Sequence, residues 1–202
     1  MSKPKVTYFD ISGSRGEEVR LALTIAGVAF DDIRLDREAF AKAKPDLPFG
    51  SVPTFEMEGL GVIGQSNAIL RLIGRQNGLH PEAAFEAARH DGFMDAVEDL
   101  RHRIAPSMRM PDGPEKVAAR KQLATDYIPQ WATYVERQIG AGPFVGGKLP
   151  SVADIKLFVV DRWISSGVID GIPMDIFGGY PKLRALTDAF RTHPAVVAWY
   201  AR

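Results

Sequence analysis

Hydrophobic and polar positions divide the chain into two parts with different periodicities. Up to about residue 80, short apolar runs of strand length alternate with helical segments, and glycine or proline stands between them. This pattern predicts strands over residues 6–10, 30–35 and 54–57, a helix over 16–26, a hairpin turn at 58–59 and a helix that begins near residue 66. Elements in this order predict a small α/β domain.

The second part of the chain shows helical spacing only. Phe93, Val97, Leu100 and Ile104 fall on one helical stripe, and further helices are predicted over 114–138, 152–165 and 181–192. We therefore place the domain boundary after residue 80, with a first domain over 1–80 and an all-helical domain over 81–202. The basic run at 101–103 is predicted to lie on a helix surface.

The helix predicted over 152–165 is apolar on almost every face, which predicts that it lies at the centre of the second domain. Ser151 and Asp154 have the spacing of a capping box, with Asp in place of the usual Glu or Gln. A buried helix without a cap would leave its first N–H groups unsatisfied. We therefore assign Ser151 and Asp154 to folding rather than to chemistry.

Composition argues against several classes of function. The 202 residues include 25 basic and 25 acidic side chains, so no net charge attracts nucleic acid or an acidic membrane. The absence of cysteine excludes disulfides, thiolate metal sites and a sulfur nucleophile supplied by the protein. The four histidines lack the spacing of zinc ligands, so no metal is expected. No apolar run approaches about 18 residues, and a cytoplasmic protein without membrane contact is expected.

Two short stretches indicate a site for a peptide-like anion. Pro53 stands at the start of the strand predicted over 54–57, where an unpaired main chain can accept a ligand by β-type pairing. Ser66 follows Gly64 where a helix N-cap should fall, and the free N–H groups of a helix start attract a carboxylate. The alternative is that Ser66 only caps its helix.

Six motifs, spread over most of the chain, form a recognisable set. They are Tyr8-Phe9, Ser14-Arg15-Gly16-Glu17, 47–53, Gln65-Ser66, 96–101 and 151–154. Together they resemble the cytosolic glutathione transferases, in particular the tyrosine-type sigma and pi classes. The resemblance implies an N-terminal thioredoxin-like domain of βαβ-ββα order, a C-terminal helical bundle and reduced glutathione as co-substrate.

The resemblance implies how the glutathione thiol is activated. In this family a tyrosine that matches Tyr8 donates a hydrogen bond to the sulfur, which stabilises the thiolate and lowers the thiol pKa from its ordinary value of about 8.5. Other classes use a serine of the following loop, so Ser14 or Ser12 competes with Tyr8 for this role. Arg15 either adds positive potential near the sulfur or braces the loop by pairing with an acidic side chain.

The main contacts of glutathione follow from the same resemblance. The main chain of Val52, beside Pro53, pairs with the cysteinyl unit. Gln65 and Ser66 hold the γ-glutamyl carboxylate.

The remaining contacts depart in part from the family pattern. Phe40 stands where the family often has Trp, and Ser51 replaces a frequent glutamine. Lys44 matches a lysine that meets the glycyl carboxylate. Asp99 matches an acidic residue that reaches glutathione bound in the other subunit, whereas Asp95 and Asp99 as an acid/base pair are disfavoured against a solvated or subunit-facing surface.

A symmetric homodimer is therefore implied, in which Phe49 either inserts into the neighbouring subunit or packs inside its own domain. The second substrate is expected to be an apolar electrophile near Ile11, Met108 and Met110, because methionine adapts to varied shapes. The expected function is the transfer of glutathione, activated as the thiolate, to hydrophobic electrophiles in detoxification. The alternatives are a glutathione-dependent isomerase or peroxidase, and a ligand-binding or scaffold protein without turnover.

Overall fold

The computed structural model describes residues 3–202; Met1 and Ser2, which belong to the predicted first domain, lie outside the described residues. The first part of the described chain forms β1 (Lys5–Phe9), α1 (Arg15–Ile25), β2 (Asp31–Leu35), α2 (Arg37–Ala43), β3 (Thr54–Met57), β4 (Gly61–Gly64) and α3 (Ser66–Gln76). The strands lie in the order β2-β1-β3-β4, with β1 parallel to β2 and β3 antiparallel to its two neighbours. The predicted thioredoxin-like βαβ-ββα order is confirmed.

The central strand β1 positions the first candidate residue. Its side chains alternate, so that Val6 and Tyr8 are buried while Thr7 and Phe9 are half-buried. Val6 pairs with Phe55 of β3 on one side and with Asp32 of β2 on the other. Tyr8 therefore lies near the end of β1, next to the loop that leads into α1.

The second part of the chain is a bundle of helices, as the sequence predicts. They are α4 (Ala84–Met108), α5 (Pro114–Gln122), α6 (Ile128–Gln138), α7 (Val152–Ser165), α8 (Pro181–Thr192) and α9 (Pro194–Tyr200). The boundary predicted after residue 80 falls between α3 and α4 and stays a prediction. No helix within residues 3–202 is both long and apolar enough to cross a membrane.

Three local details go beyond the predictions or differ from them. Residues 114–138 are helical throughout, as predicted, but they form α5 and α6 with a π-helical turn at Leu123–Tyr127 between them, and Pro129, which has no N–H to donate, follows that turn. The helices α2 and α9 were not predicted, because seven residues are too few to display a helical periodicity. Arg101 of the predicted surface run is buried, whereas His102 and Arg103 are exposed.

The helix α7 lies at the centre of the bundle and also packs on α1 of the first domain. The capping box is present: the Asp154 carboxylate accepts the Ser151 backbone N–H at 2.8 Å, and the Ser151 hydroxyl oxygen accepts the Asp154 backbone N–H at 3.5 Å. Asp154 also accepts the backbone N–H of Val145 at 2.6 Å. These bonds satisfy the buried helix start, as expected.

Candidate glutathione site

Tyr8 and Ser14 meet where β1 passes into α1. The Tyr8 hydroxyl oxygen lies 2.9 Å from Oγ of Ser14, and either atom can be the donor. Ser14 occupies the N-cap position of α1, but its side chain does not cap the helix, so its hydroxyl is available to Tyr8. Tyr8 and Ser14, two of the three residues that the sequence offers as thiol donors, therefore form one hydrogen-bonded pair, which does not include Ser12.

Gly16 explains how the Tyr8 ring reaches this position. A Cβ atom on Gly16 would lie 2.1 Å from Cγ and Cδ1 of Tyr8, far inside van der Waals contact. The ring thus packs directly on the backbone of the first turn of α1. Any larger residue at position 16 must displace Tyr8 or the helix.

The loop between β1 and α1 is held by Arg20, whose side chain is fully buried. Its guanidinium donates to the carbonyl oxygens of Phe9 at 3.1 Å and Ile11 at 3.2 Å, and to Asp32 of β2 at 2.8 Å. These bonds satisfy loop carbonyls that a strand or helix would otherwise satisfy. Arg20 therefore holds in place the loop that joins Tyr8 to Ser14.

Arg15 pairs with Glu98 of α4, which agrees with the bracing role that the sequence offers for it. The Arg15 Nε and Nη2 atoms donate to one Glu98 oxygen at 2.8 and 2.6 Å. Burial opposes ionisation of Glu98, but Lys156 and Arg15 outweigh it and lower the pKa of Glu98 from 4.5 to about 2. Glu98 is therefore a carboxylate at all physiological pH values.

A second group of predicted residues lies at the starts of β3 and α3. The Val52-Pro53 peptide bond is cis, and Val52 precedes the first paired residue of β3, Thr54. The prediction that Ser66 is the N-cap of α3 is wrong. The helix begins at Ser66, and Gln65 occupies the cap position with φ 70° and ψ 111°. This backbone conformation is uncommon for a residue other than glycine.

The other predicted glutathione contacts are distributed around these two groups. Phe40 is half-buried and packs edge-to-face on Phe9 with ring centroids 5.0 Å apart. Lys44 is exposed, and its stem lies beside Gly50. Ser51 is half-buried beside Val52, and Asp99 is exposed on α4.

Lys156 of α7 is a residue that the sequence reasoning missed. Its ammonium contacts Glu18 Oε2 at 3.1 Å, Glu98 Oε1 at 2.5 Å and Ser66 Oγ at 3.4 Å, and its side chain is 0% exposed. One signal was present in the sequence, since Lys156 is a lone cation among the apolar residues 155–160 of a helix predicted to be buried. A charge at such a position requires buried partners of opposite sign.

Two of the residues predicted for the apolar substrate, Ile11 and Met110, line different cavities. Ile11 lines a cavity of about 640 Å³ beside Trp199 and Tyr200. Met110 lines another of about 450 Å³ beside Tyr127, and Met108 is exposed and lines neither of the two. Their shared role in binding an electrophile stays a prediction.

Phe49 does not pack inside its own domain. Its side chain is 77% exposed, and its φ of 56° is in the left-handed region, which is unfavourable for a bulky residue. On α4 and α6, an apolar groove of about 350 Å³ is lined by residues that include Gly92, Phe93, Ala96 and Trp131. The molecule thus presents both an exposed aromatic side chain and an apolar groove that is large enough to hold one.

These features can stabilise a bound anion at two places. A hydroxyl pair and the first turn of α1 favour negative charge at one place, and the first turn of α3 favours it at another. Within residues 3–202, no three His, Asp or Glu side chains group as ligands for a metal ion. The hydroxyl pair and the two helix starts can supply hydrogen bonds and electrostatic stabilisation to an anion.

Comparison with known families agrees with this geometry. The sequence model described as "Glutathione S-transferase, N-terminal domain" matches residues 4–75, and the model described as "Glutathione S-transferase, C-terminal domain" matches residues 98–202. Both halves of the fold are thus recognised separately.

Relatives match along the full chain. Hematopoietic prostaglandin D synthase of Gallus gallus is 32% identical over 98% of this chain and 96% of its own. Glutathione S-transferase 1 of Ascaris suum is 32% identical over 100% of this chain and 97% of its own. The structure of the glutathione S-transferase from Ascaris lumbricoides superimposes with a TM-score of 0.82 at 30% identity and covers 99% of this chain and 97% of its own. The chain therefore belongs to the glutathione S-transferase family and is a glutathione transferase.

Proposed function

We propose that this transferase binds reduced glutathione with its sulfur at the Tyr8–Ser14 pair and transfers it, as the thiolate, to hydrophobic electrophiles. The observation that carries the proposal is the 2.9 Å hydrogen bond between the two hydroxyls at the start of α1. Donors that are already in place stabilise a developing anion without reorganisation. The pair and the helix N-terminus therefore lower the pKa of the bound thiol and raise the thiolate fraction at neutral pH.

The order of protons within the pair decides which residue touches the sulfur. Each hydroxyl has one proton. If one residue donates its proton to the thiolate, the other residue donates its own proton to the hydroxyl oxygen of the first. We assign the outer position to Tyr8, because a phenol is the stronger acid and thus the stronger donor to an anion. Ser14 then donates to the Tyr8 oxygen and is a positioning residue.

The remainder of glutathione is proposed to lie between Val52 and the start of α3. Val52 precedes the paired part of β3, so its main chain can pair with the cysteinyl unit. Gln65 and Ser66 lie at the N-terminus of α3, where the γ-glutamyl carboxylate is favoured. The left-handed conformation of Gln65 supports this, since strained backbone concentrates at ligand sites. Lys44, Phe40 and Ser51 complete the binding set.

A homodimer is proposed in which the exposed Phe49 of one subunit enters the groove between α4 and α6 of the other. The aromatic side chain and the apolar groove, lined by Phe93 and Trp131, are complementary in size and polarity. A symmetric dimer uses this contact twice. Asp99, exposed on α4, is then proposed to reach glutathione in the other subunit.

The proposal is tested by titrating bound glutathione in the ultraviolet and measuring conjugation to an aromatic halide over the same pH range. We expect the thiol of bound glutathione to ionise with a pKa below the ordinary value of about 8.5 and conjugation to follow the thiolate fraction. Binding of glutathione without thiolate and without turnover would instead support the scaffold alternative.

A glutathione-dependent isomerase is a second candidate. It is favoured by the likeness to proteins named hematopoietic prostaglandin D synthase in Gallus gallus, at 32% identity, and in Mus musculus, at 28%. Assay of prostaglandin D formation beside conjugation and hydroperoxide reduction separates the three activities. A cytoplasmic location and the assignment to the sigma or pi class stay predictions from the sequence.

A further inference from the structure

Lys156 is a fully buried ammonium whose three protons have three oxygen partners. They are Oε2 of Glu18 at 3.1 Å, Oε1 of Glu98 at 2.5 Å and Oγ of Ser66 at 3.4 Å. A lysine has no acceptor and three donors, so these contacts use its whole bonding capacity. Two of the partners are carboxylates, and the third belongs to the proposed glutathione site.

The two carboxylates each have a second cation. Glu98 pairs with Arg15 at 2.6 Å, and Glu18 pairs with Arg101 at 2.7 Å. We call these five residues the Lys156 cluster. It contains three cations and two carboxylates, so its net charge is +1. Lys156, Glu18 and Arg101 are at most 5% exposed, whereas Arg15 is 34% exposed at the edge of the cluster. Charge that is unbalanced in such a largely buried group favours an additional anion nearby.

We propose that Lys156 is a positioning residue for glutathione, which orients Ser66 and supplies the positive charge that the γ-glutamyl carboxylate neutralises. This inference rests on the proposed function, in which Ser66 contacts that carboxylate. With the carboxylate in place, three cations face three anions. The contact is indirect, because Ser66 lies between Lys156 and the ligand.

A purely structural role makes a different prediction. Removing one partner of a buried ion pair destabilises the fold, but a loss of binding through general loosening would not depend on the charge of the ligand. A role in charge balance must depend on the ligand carboxylate. The two roles are therefore separated by changing the ligand as well as the protein.

The experiment measures dissociation constants by calorimetry for glutathione and for an analogue whose γ-glutamyl α-carboxylate is replaced by an amide. Lys156→Met lowers the cluster charge to zero, and Glu18→Gln raises it to +2. We expect Lys156→Met to weaken the binding of glutathione by about tenfold more than the binding of the amide analogue, in line with the loss of one charge-assisted interaction. Glu18→Gln should shift the ratio of the two affinities in the opposite direction. Lys5→Met, which removes an exposed lysine paired with Glu56, is the control.

Equal losses for both ligands, or an unchanged ratio in Lys156→Met, would overturn the inference. If Lys156→Met does not fold, Glu18→Gln alone decides, and an unchanged ratio there has the same meaning. Failure of the wild-type protein to bind glutathione would instead overturn the proposed function. The two failures are thus distinct.

Discussion

The hydroxyl oxygens of Tyr8 and Ser14 lie 2.9 Å apart, so these two candidate thiol donors form one hydrogen-bonded unit. In a pair of this kind only one residue can touch the sulfur, while the other acts through it. The two roles contribute different amounts to activity, because loss of a hydrogen bond to an anion costs more than loss of a neutral hydrogen bond.

Tyr8→Phe and Ser14→Ala should therefore have unequal effects. Tyr8→Phe removes the outer donor, and conjugation at neutral pH should fall by about 100-fold while the pKa of bound glutathione rises toward that of the free thiol. Ser14→Ala should reduce conjugation by only about two- to tenfold. The measurement is the pH dependence of conjugation for the wild type and both variants. A larger effect in Ser14→Ala would reverse the proton order.

Gly16→Ala should affect activity through Tyr8 although it removes no functional group. The new Cβ would lie 2.1 Å from the Tyr8 ring, so the ring must move away from Ser14. We expect a loss of stability of about 1–3 kcal/mol by overpacking and a loss of conjugation that approaches that of Tyr8→Phe. Gly179→Ala is the control, because a Cβ there meets nothing within 4 Å. Full activity of Gly16→Ala at a temperature where it is folded would contradict the role assigned to Tyr8.

Phe49→Ser should weaken the dimer. Removal of an aromatic anchor from an apolar pocket typically costs about 2 kcal/mol or more, and the symmetric dimer loses two such anchors, so the dissociation constant should rise by about 1,000-fold. Sedimentation velocity over a concentration series measures it. The matched control is Leu149→Ser, since Leu149 and Phe49 are both 77% exposed. Equal behaviour of the two variants would remove Phe49 from the interface.

Glu98 should contribute stability that depends on pH. Its pKa is lowered on folding from 4.5 to about 2, so the folded protein binds fewer protons than the unfolded chain between these values. By linkage this contributes about 3 kcal/mol above pH 4.5, which is lost progressively as the pH falls toward 2.

The Glu98→Gln variant should lack this part of the acid sensitivity. Urea unfolding of both proteins at several pH values between 2 and 7 measures the difference in the free energy of unfolding. The wild type should be the more stable at neutral pH, and the difference should shrink as the solution is acidified. A constant difference would show that Glu98 acts by packing rather than by charge.

The sequence by itself determined the features that depend on neighbouring residues. Strand alternation at β1, the helix α7 with its capping box of Ser151 and Asp154, and the proline before β3 follow from short spacings, and the motifs around them indicated the family. Short helices such as α2 were not predicted, because they have too few residues to show a helical periodicity. Exposure of Phe49 was left open, since an aromatic residue in a loop fits either environment.

Only the tertiary structure decided which distant groups meet. Lys156 and Glu18 are 138 residues apart in sequence, and Lys156 and Ser66 are 90 apart, yet their side chains are in contact. The sequence predicts that Arg101 is a surface cation, but packing of α4 against α7 buries it beside Trp163 of α7 and Glu18 of α1. Periodicity reports which face of an element is apolar, whereas the pairing of buried charges depends on how elements from both domains are assembled around α7.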